Sequence, residues 1–282
     1  MTRPPVISLT DCADPNAVAR QSARIAALFG ATPTLLPLTG PDPEGVAALT
    51  LLDLLRSTEL TGEPVHPIVV LVNIAPRDGS WPNGAPFCYF RHKKHLVIST
   101  LNPRVLAPLS AYLELAEVQV TDVREVLEAA TAQWAELTRD QVEEITRTQF
   151  RSLWYVPLLA RWLVDRRPVP ARPHPLVEAD RPAAGGAVRV AVVDNFGNCK
   201  LDRPVAAIPG HRGAAGLAVH SARDGRRIQV RCYDRLPDVP YGEPGITTGS
   251  SGVGFAELVV RGGSAAELFG LREGDHVLAV TG

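Results

Sequence analysis

Residues 192–202 read VVDNFGNCKLD, a β-type run that stops at Asp194 and enters an Asn-Phe-Gly-Asn turn. Asn and Gly suit a turn because both tolerate positive φ, but a hairpin needs neither the carboxylate nor the aromatic ring. Asp194, Phe196 and Asn198 therefore pose a choice between a plain turn and a place that holds something polar and flat. A second candidate follows the first strand, where TDCAD sets Asp11 and Asp14 three residues apart. Asp14 is placed to cap a helix, which leaves Asp11 at a strand end, where a carboxylate accepts both hydroxyls of a ribose. NIAPRDGSWPNG, residues 73–84, is too long for a tight turn; in it Arg77 and Asp78 pair with each other, position a ligand or face solvent. GSSGVGF places Ser250 and Ser251 beside a glycine whose open backbone offers N–H groups to a carboxylate. In TQFRSLWYVPLLARWL the aromatic spacing is that of a helix core, with Arg151 and Ser152 on the other face. HKKH, residues 92–95, reads as a charged hairpin tip, with neither the spacing nor the carboxylate that a metal site needs.

The elements that position these residues fall into two regions. In the first, PVISLT predicts a strand, followed by a helix that Asp14 caps, Pro15 opens and Gly30 closes. Its inward stripe is expected at Val18, Ser22, Ile25 and Phe29. TPTLLPL and HPIVVLVNI read as strands, PFCYFRHKKHLVIST as a hairpin, and residues 44–57, 103–114, 122–137 and 140–164 as helices. Strands alternating with helices predict an α/β N-terminal domain, residues 1–165, with a mostly parallel sheet between helices. Ligands of such sheets bind beyond the carboxyl ends of the strands, where Asp11 and the loop after Ile74 are expected. Residues 166–186 carry five prolines and end in Ala-Ala-Gly-Gly, the look of a linker. Residues 187–282 are β-rich and glycine-rich with one short helical signal, SAAELFG, and predict a small all-β barrel as the C-terminal domain.

Composition narrows the function. Lys+Arg number 29 against 30 Asp+Glu, for a formal net charge of −1, so no basic excess drives binding to nucleic acid. The apolar runs fall short of a membrane span, and MTRPPVISLT lacks the apolar centre of a signal peptide, which predicts a cytoplasmic protein. Cys12, Cys88, Cys199 and Cys232 are scattered, with no zinc-type spacing, and predict four reduced thiols and no metal.

Together these stretches resemble the S-adenosylmethionine hydroxide adenosyltransferase family, which includes fluorinating and chlorinating enzymes. The resemblance rests on LTDCADPNAVARQ, on VVDNFGN opening the second domain, and on GFAELVVRGGSAAELFGLREGDHV near the end. It implies a homotrimer with S-adenosylmethionine, as substrate or ligand, bound between neighbouring subunits. By the same resemblance Asp194 takes the methionine ammonium, Asn198 reaches the adenine, Phe196 forms an apolar wall, Asp11 takes the ribose hydroxyls, and Ser250 or Ser251 the methionine carboxylate.

The catalytic pattern departs from the family. Hydrolases that the chain resembles use an Asp–Arg–His set to direct water at the ribose C5′ carbon and expel methionine. Here the Asp position falls on Asn73 or Ile74, and Phe150 stands where the His belongs. A phenylalanine neither accepts nor donates a proton. Three readings follow: a hydrolase or C5′ adenosyl transferase in which Arg77 and Asp78 replace the missing pair, a transferase with another nucleophile, or a non-catalytic binder of S-adenosylmethionine or a nucleoside. The C-terminal segment is also similar to a PDZ domain, where a Gly-x-Gly-Phe loop binds a peptide carboxylate and the peptide adds as a strand.

Overall fold

The computed structural model describes residues 3–59, 66–75, 84–176, 188–208, 211, 217–222, 224–251 and 254–277. The chain folds as two compact units, Met1–Thr39 with Ser57–Asp180, and Gly40–Arg56 with Arg181–Gly282.

The first unit runs β1 (Val6–Thr10), α1 (Pro15–Phe29) and β2 (Thr34–Pro37); the next element, α2 (Pro43–Ser57), groups with the second unit. It continues with β3 (Val69–Asn73), β4 (Phe87–His92), β5 (His95–Thr100), α3 (Pro103–Leu113), β6 (Glu117–Thr121) and α4 (Val123–Trp134). α5 (Arg139–Arg147), α6 (Arg151–Trp154), α7 (Val156–Val164) and β7 (Arg172–Pro175) complete it. The sheet order is β2-β1-β3-β5-β4-β6-β7. The pairings β2-β1, β1-β3 and β3-β5 are parallel and the other three antiparallel, so five of the seven strands (all but β4 and β7) run one way. β3 and β5 are buried at every position, as strands covered on both faces are. β7 comes from the proline-rich stretch, and its two prolines sit at the sheet edge, where a missing N–H costs no ladder bond.

α1 forms where expected. Asp14 accepts the N–H groups of Asn16 and Ala17, both at 3.0 Å, and Gly30 closes the helix at φ 77°. Its buried face is Ala17, Gln21, Ile25 and Phe29, so the stripe runs one residue earlier than expected in its first half. Gln21 is tolerated there because its amide donates to the carbonyls of Cys12 and Ala17 at 3.2 Å. The single helix expected over 140–164 is three. Thr148 leaves the helical region at ψ 141° and accepts the Phe150 N–H on its own hydroxyl, and Pro157 opens α7, where its absent N–H is harmless. β6 is a strand the sequence reading did not anticipate.

Trp162 and Tyr155 lie fully buried at the centre of this unit, packed with Phe87, Leu71 and Ile98. His95, expected in a charged tip, begins β5 and is fully buried. The Ile68 N–H donates to its Nδ1 at 3.1 Å, which puts the ring proton on Nε2, 2.9 Å from Thr58 Oγ1. Burial disfavours the imidazolium and lowers the His95 pKa, with Glu59 opposing. A histidine whose folded value is depressed adds stability above the ordinary value of about 6.5, lost as pH falls toward the folded value. Denaturant midpoints should therefore drop between pH 7.5 and 5. The drop should be smaller in His95→Asn, which keeps the acceptor for Ile68 but does not titrate; equal slopes would refute the assignment.

The second unit contains α2, β8 (Val188–Val193), β9 (Cys199–Pro204), β10 (Leu217–His220), β11 (Arg227–Tyr233), β12 (Pro244–Thr248), β13 (Phe255–Val260), α8 (Ala265–Phe269) and β14 (His276–Val277). Seven strands in the order β10-β11-β12-β13-β9-β8-β14 make a nearly closed barrel. Val190, Leu201, Val219, Val230, Ile246, Leu258 and Phe269 fill it. β9 alternates strictly, with Cys199, Leu201 and Arg203 buried and Lys200 and Asp202 on the other face. β13 is hydrogen-bonded to β12 on one side and β9 on the other, so a peptide has no free edge there on which to add as a strand.

Candidate functional site

In the first unit, the carboxyl ends of β1, β3, β5 and β6 and the amino end of β4 share one edge, through the pairs Thr10–Asn73, Phe87–Thr100 and Phe87–Thr121. Asp11 stands there. Both its carboxylate oxygens receive the Ala75 N–H, at 3.2 and 3.1 Å, which ties the strand end to the loop after β3. A carboxylate has about four acceptor positions, so this fastening is compatible with accepting ligand hydroxyls.

Asn73, one of the two positions where the resemblance places an aspartate (the other is Ile74), donates to Thr10 Oγ1 at 3.3 Å and Cys12 Sγ at 3.6 Å. An amide so used braces the edge and takes up no proton. Ile74 is buried, and its carbonyl accepts from Thr100 Oγ1 at 3.1 Å. Phe150 lies just before α6 with the Arg20 guanidinium 5.6 Å from its ring centroid. Burial and the Asp11 charge raise the Cys12 thiol pKa, so this edge cysteine is a poor nucleophile. Arg77 and Asp78 lie outside the described residues.

In the second unit, the loop between β8 and β9 is built around Asp194. Its Oδ1 accepts the N–H groups of Phe196 and Asn198, each at 2.9 Å, and its Oδ2 accepts from Asn198 Nδ2 at 3.0 Å. Asp194 is thus a clamp on its own turn, the Asx geometry that short acidic side chains favour. Phe196 at the tip is 71% exposed, an unusual setting for a phenyl ring.

Two residues join this loop to the serines, and the sequence reading passed over both. Lys200 and Glu257 face each other across the β9–β13 ladder. Lys200 Nζ donates to Ser251 Oγ at 2.6 Å, and the Ser250 N–H is directed to the Glu257 carboxylate. Burial pushes the Glu257 pKa up, Lys200 opposes this, and the Asp194 and Asp53 charges add to it. Asp53 belongs to α2. The Glu257 carboxylate thus feels one ammonium and two other carboxylates, with Ser250 exposed and Ser251 buried. The signal was present in FAELVV, where a glutamate interrupts an apolar strand, and in Lys200, on the face opposite the core. Among the described residues, no group of three His, Cys, Asp or Glu is arranged to hold a metal ion, and no helix is long and apolar enough to cross a membrane.

Residues 188–278 match the family described as the SAM hydroxide adenosyltransferase C-terminal domain. A search of curated proteins found no match. Among solved structures, an uncharacterized conserved protein from Thermotoga maritima is similar at a TM-score of 0.65 and 17% identity, over 96% of this chain and 98% of that one. A conserved hypothetical protein from Thermus thermophilus is similar at a TM-score of 0.57 and 21% identity, over 98% of this chain and 100% of that one. These two likenesses show that the fold extends across the chain.

Proposed function

We propose that this chain, whose C-terminal residues form a domain of the SAM hydroxide adenosyltransferase family, binds S-adenosylmethionine. The observation that carries the proposal is the meeting of opposite charges in the matched domain: Lys200 stands across the ladder from Glu257 and bonds Ser251, and the Asp194 charge acts on Glu257 beside the exposed Ser250. An amino-acid headgroup carries one ammonium and one carboxylate, and each finds its opposite here. Asp194 and Glu257 take the ammonium. Lys200 has used one donor on Ser251 and offers others to the carboxylate, beside Ser250. Phe196 supplies a wall and Asn198 an amide edge for the adenine, while Asp11 takes the ribose hydroxyls. Assembly as a homotrimer with sites between neighbours, and a cytoplasmic location, belong to the same proposal.

Substitution at C5′ breaks the carbon–sulfur bond, whose electron pair leaves with methionine. Water supplies the oxygen that replaces it, and one proton is released. We assign the positioning of that water to Arg77 and Asp78. A second reading, a binder without turnover, is favoured by Asn73 or Ile74 and by the ring of Phe150, which stand where the hydrolases that the chain resembles carry the aspartate and histidine of their water-activating set.

The test is incubation of purified protein with S-adenosylmethionine, with and without chloride, followed by mass spectrometry of the small molecules. Adenosine and methionine above a no-protein control establish hydrolysis, and a 5′-chlorinated product a halide transferase. Intact ligand that stays with the protein through gel filtration establishes the binder. Ligand that is unchanged and washes away refutes the proposal.

A further inference from the structure

Arg151 opens α6 at the same edge of the first unit's sheet that carries Asp11. Its guanidinium lies 5.9 Å from the centroid of the Phe87 ring, at the amino end of β4. One of its terminal nitrogens sits where a side chain on Gly84 would go, 2.5 Å from such a Cβ, and Gly84 has φ +77°. Glycine at 84 thus keeps that nitrogen reachable where the chain returns into β4. The side chain is half-buried, and among the described residues it has neither a hydrogen bond nor an ion pair. Asp122, whose charge acts on it, is the N-cap of α4 and accepts the Glu125 N–H at 2.9 Å. Burial disfavours the guanidinium's charge and lowers its pKa, with the Asp122 charge opposing.

An arginine stem can lie along apolar surface with its head in water, but here the head itself is half out of water, against a ring and without a hydrogen-bonded or ion-paired partner among the described residues. Such a charge is a liability to the fold unless something charged meets it. The guanidinium fork matches two oxygens of one planar or tetrahedral anion better than it matches a single atom. We propose that Arg151 is the recognition residue of a small-oxyanion site, for a carboxylate or phosphoryl group, at the carboxyl edge of the first unit's sheet. The proposal does not depend on S-adenosylmethionine being the ligand of the second unit.

The test uses the full chain and inorganic phosphate as the probe, with chloride at matched ionic strength as control, read by thermal unfolding and calorimetry. Phosphate should raise the unfolding temperature of the natural protein more than chloride does. Arg151→Gln should lose that difference and bind phosphate at least about tenfold more weakly. Without phosphate, Arg151→Gln should unfold at the same or a higher temperature than the natural protein, because it removes a charge that burial disfavours. Arg151→Lys should recover only part of the phosphate effect, since it keeps the charge without the fork. An Arg151→Gln protein less stable without phosphate would give the residue a structural role and overturn the proposal. Equal phosphate effects in both proteins, or chloride as effective as phosphate, would overturn it as well.

Discussion

Replacing Asp194 by asparagine is expected to leave the second unit folded and to weaken S-adenosylmethionine binding by about one to two powers of ten. Alanine at the same position is expected to disturb binding and stability together. The difference follows from the three hydrogen bonds that the Asp194 carboxylate accepts within its own turn. Alanine deletes all three at about 1 kcal/mol each, so a loss of about 2–3 kcal/mol accompanies any loss of ligand. Asparagine retains an oxygen for the N–H groups of Phe196 and Asn198. Its new amide donor then faces the Asn198 side chain, which restores the remaining bond by turning its own amide over. What asparagine removes is the charge, and a hydrogen bond to a charged partner contributes about 1.5–3 kcal/mol. Calorimetry with S-adenosylmethionine, paired with urea midpoints for both variants, separates the effects. If asparagine binds like the natural protein, the ammonium is held elsewhere, with Glu257 the next candidate.

Much of this fold could be read from local chemistry. Asp14, Pro15 and Gly30 define α1 because capping and positive φ act within a few residues, and the alternation of strands with helices gave the α/β unit. The misreadings have tertiary causes. Residues 140–164 keep an apolar periodicity through Thr148 and Pro157, so only the extended backbone at Thr148 reveals three helices. β6 is short, and its pairing with β4 and β7 is invisible without the partners. His95 looked solvated among charged neighbours, whereas Ile68 and Thr58, distant in sequence, satisfy it in the interior. At the candidate site, Asp194 stood out because its turn did not need a carboxylate. Lys200 and Glu257 did not, since their meaning lies in the register that sets one opposite the other. Local signals also hid the double duty of Asp194, which serves the turn and faces the charge cluster.

Gly197→Ala is expected to destabilise the second unit by about 2–4 kcal/mol and to abolish ligand binding with it. Gly197 has φ +79°, a conformation that costs a residue with a Cβ on the order of 1 kcal/mol or more. The larger cost is steric. A Cβ at 197 would lie 2.0 Å from Ser264 Oγ, 2.6 Å from its Cβ and 3.1 Å from its Cα. The hydroxyl alone could swing aside, but the Cβ and backbone cannot, and overpacking of this kind costs about 1–3 kcal/mol. Relief is blocked at both ends. The Ala266 N–H donates to the Gly197 carbonyl at 2.9 Å, and Ser264 caps α8 by accepting the Glu267 N–H at 3.1 Å. Moving the turn breaks the first bond; moving the serine breaks the second and loosens α8. Gly225 is the control, because it has φ +70° and nothing within 4 Å of a Cβ. Gly225→Ala should therefore show the backbone cost alone, and the excess in Gly197→Ala measures the contact with Ser264. Urea midpoints for the two alanine variants make the comparison. If they agree within about 0.5 kcal/mol, the turn moves freely against α8, and the rigid placement of Asp194, Phe196 and Asn198 that ligand binding relies on is lost as an explanation.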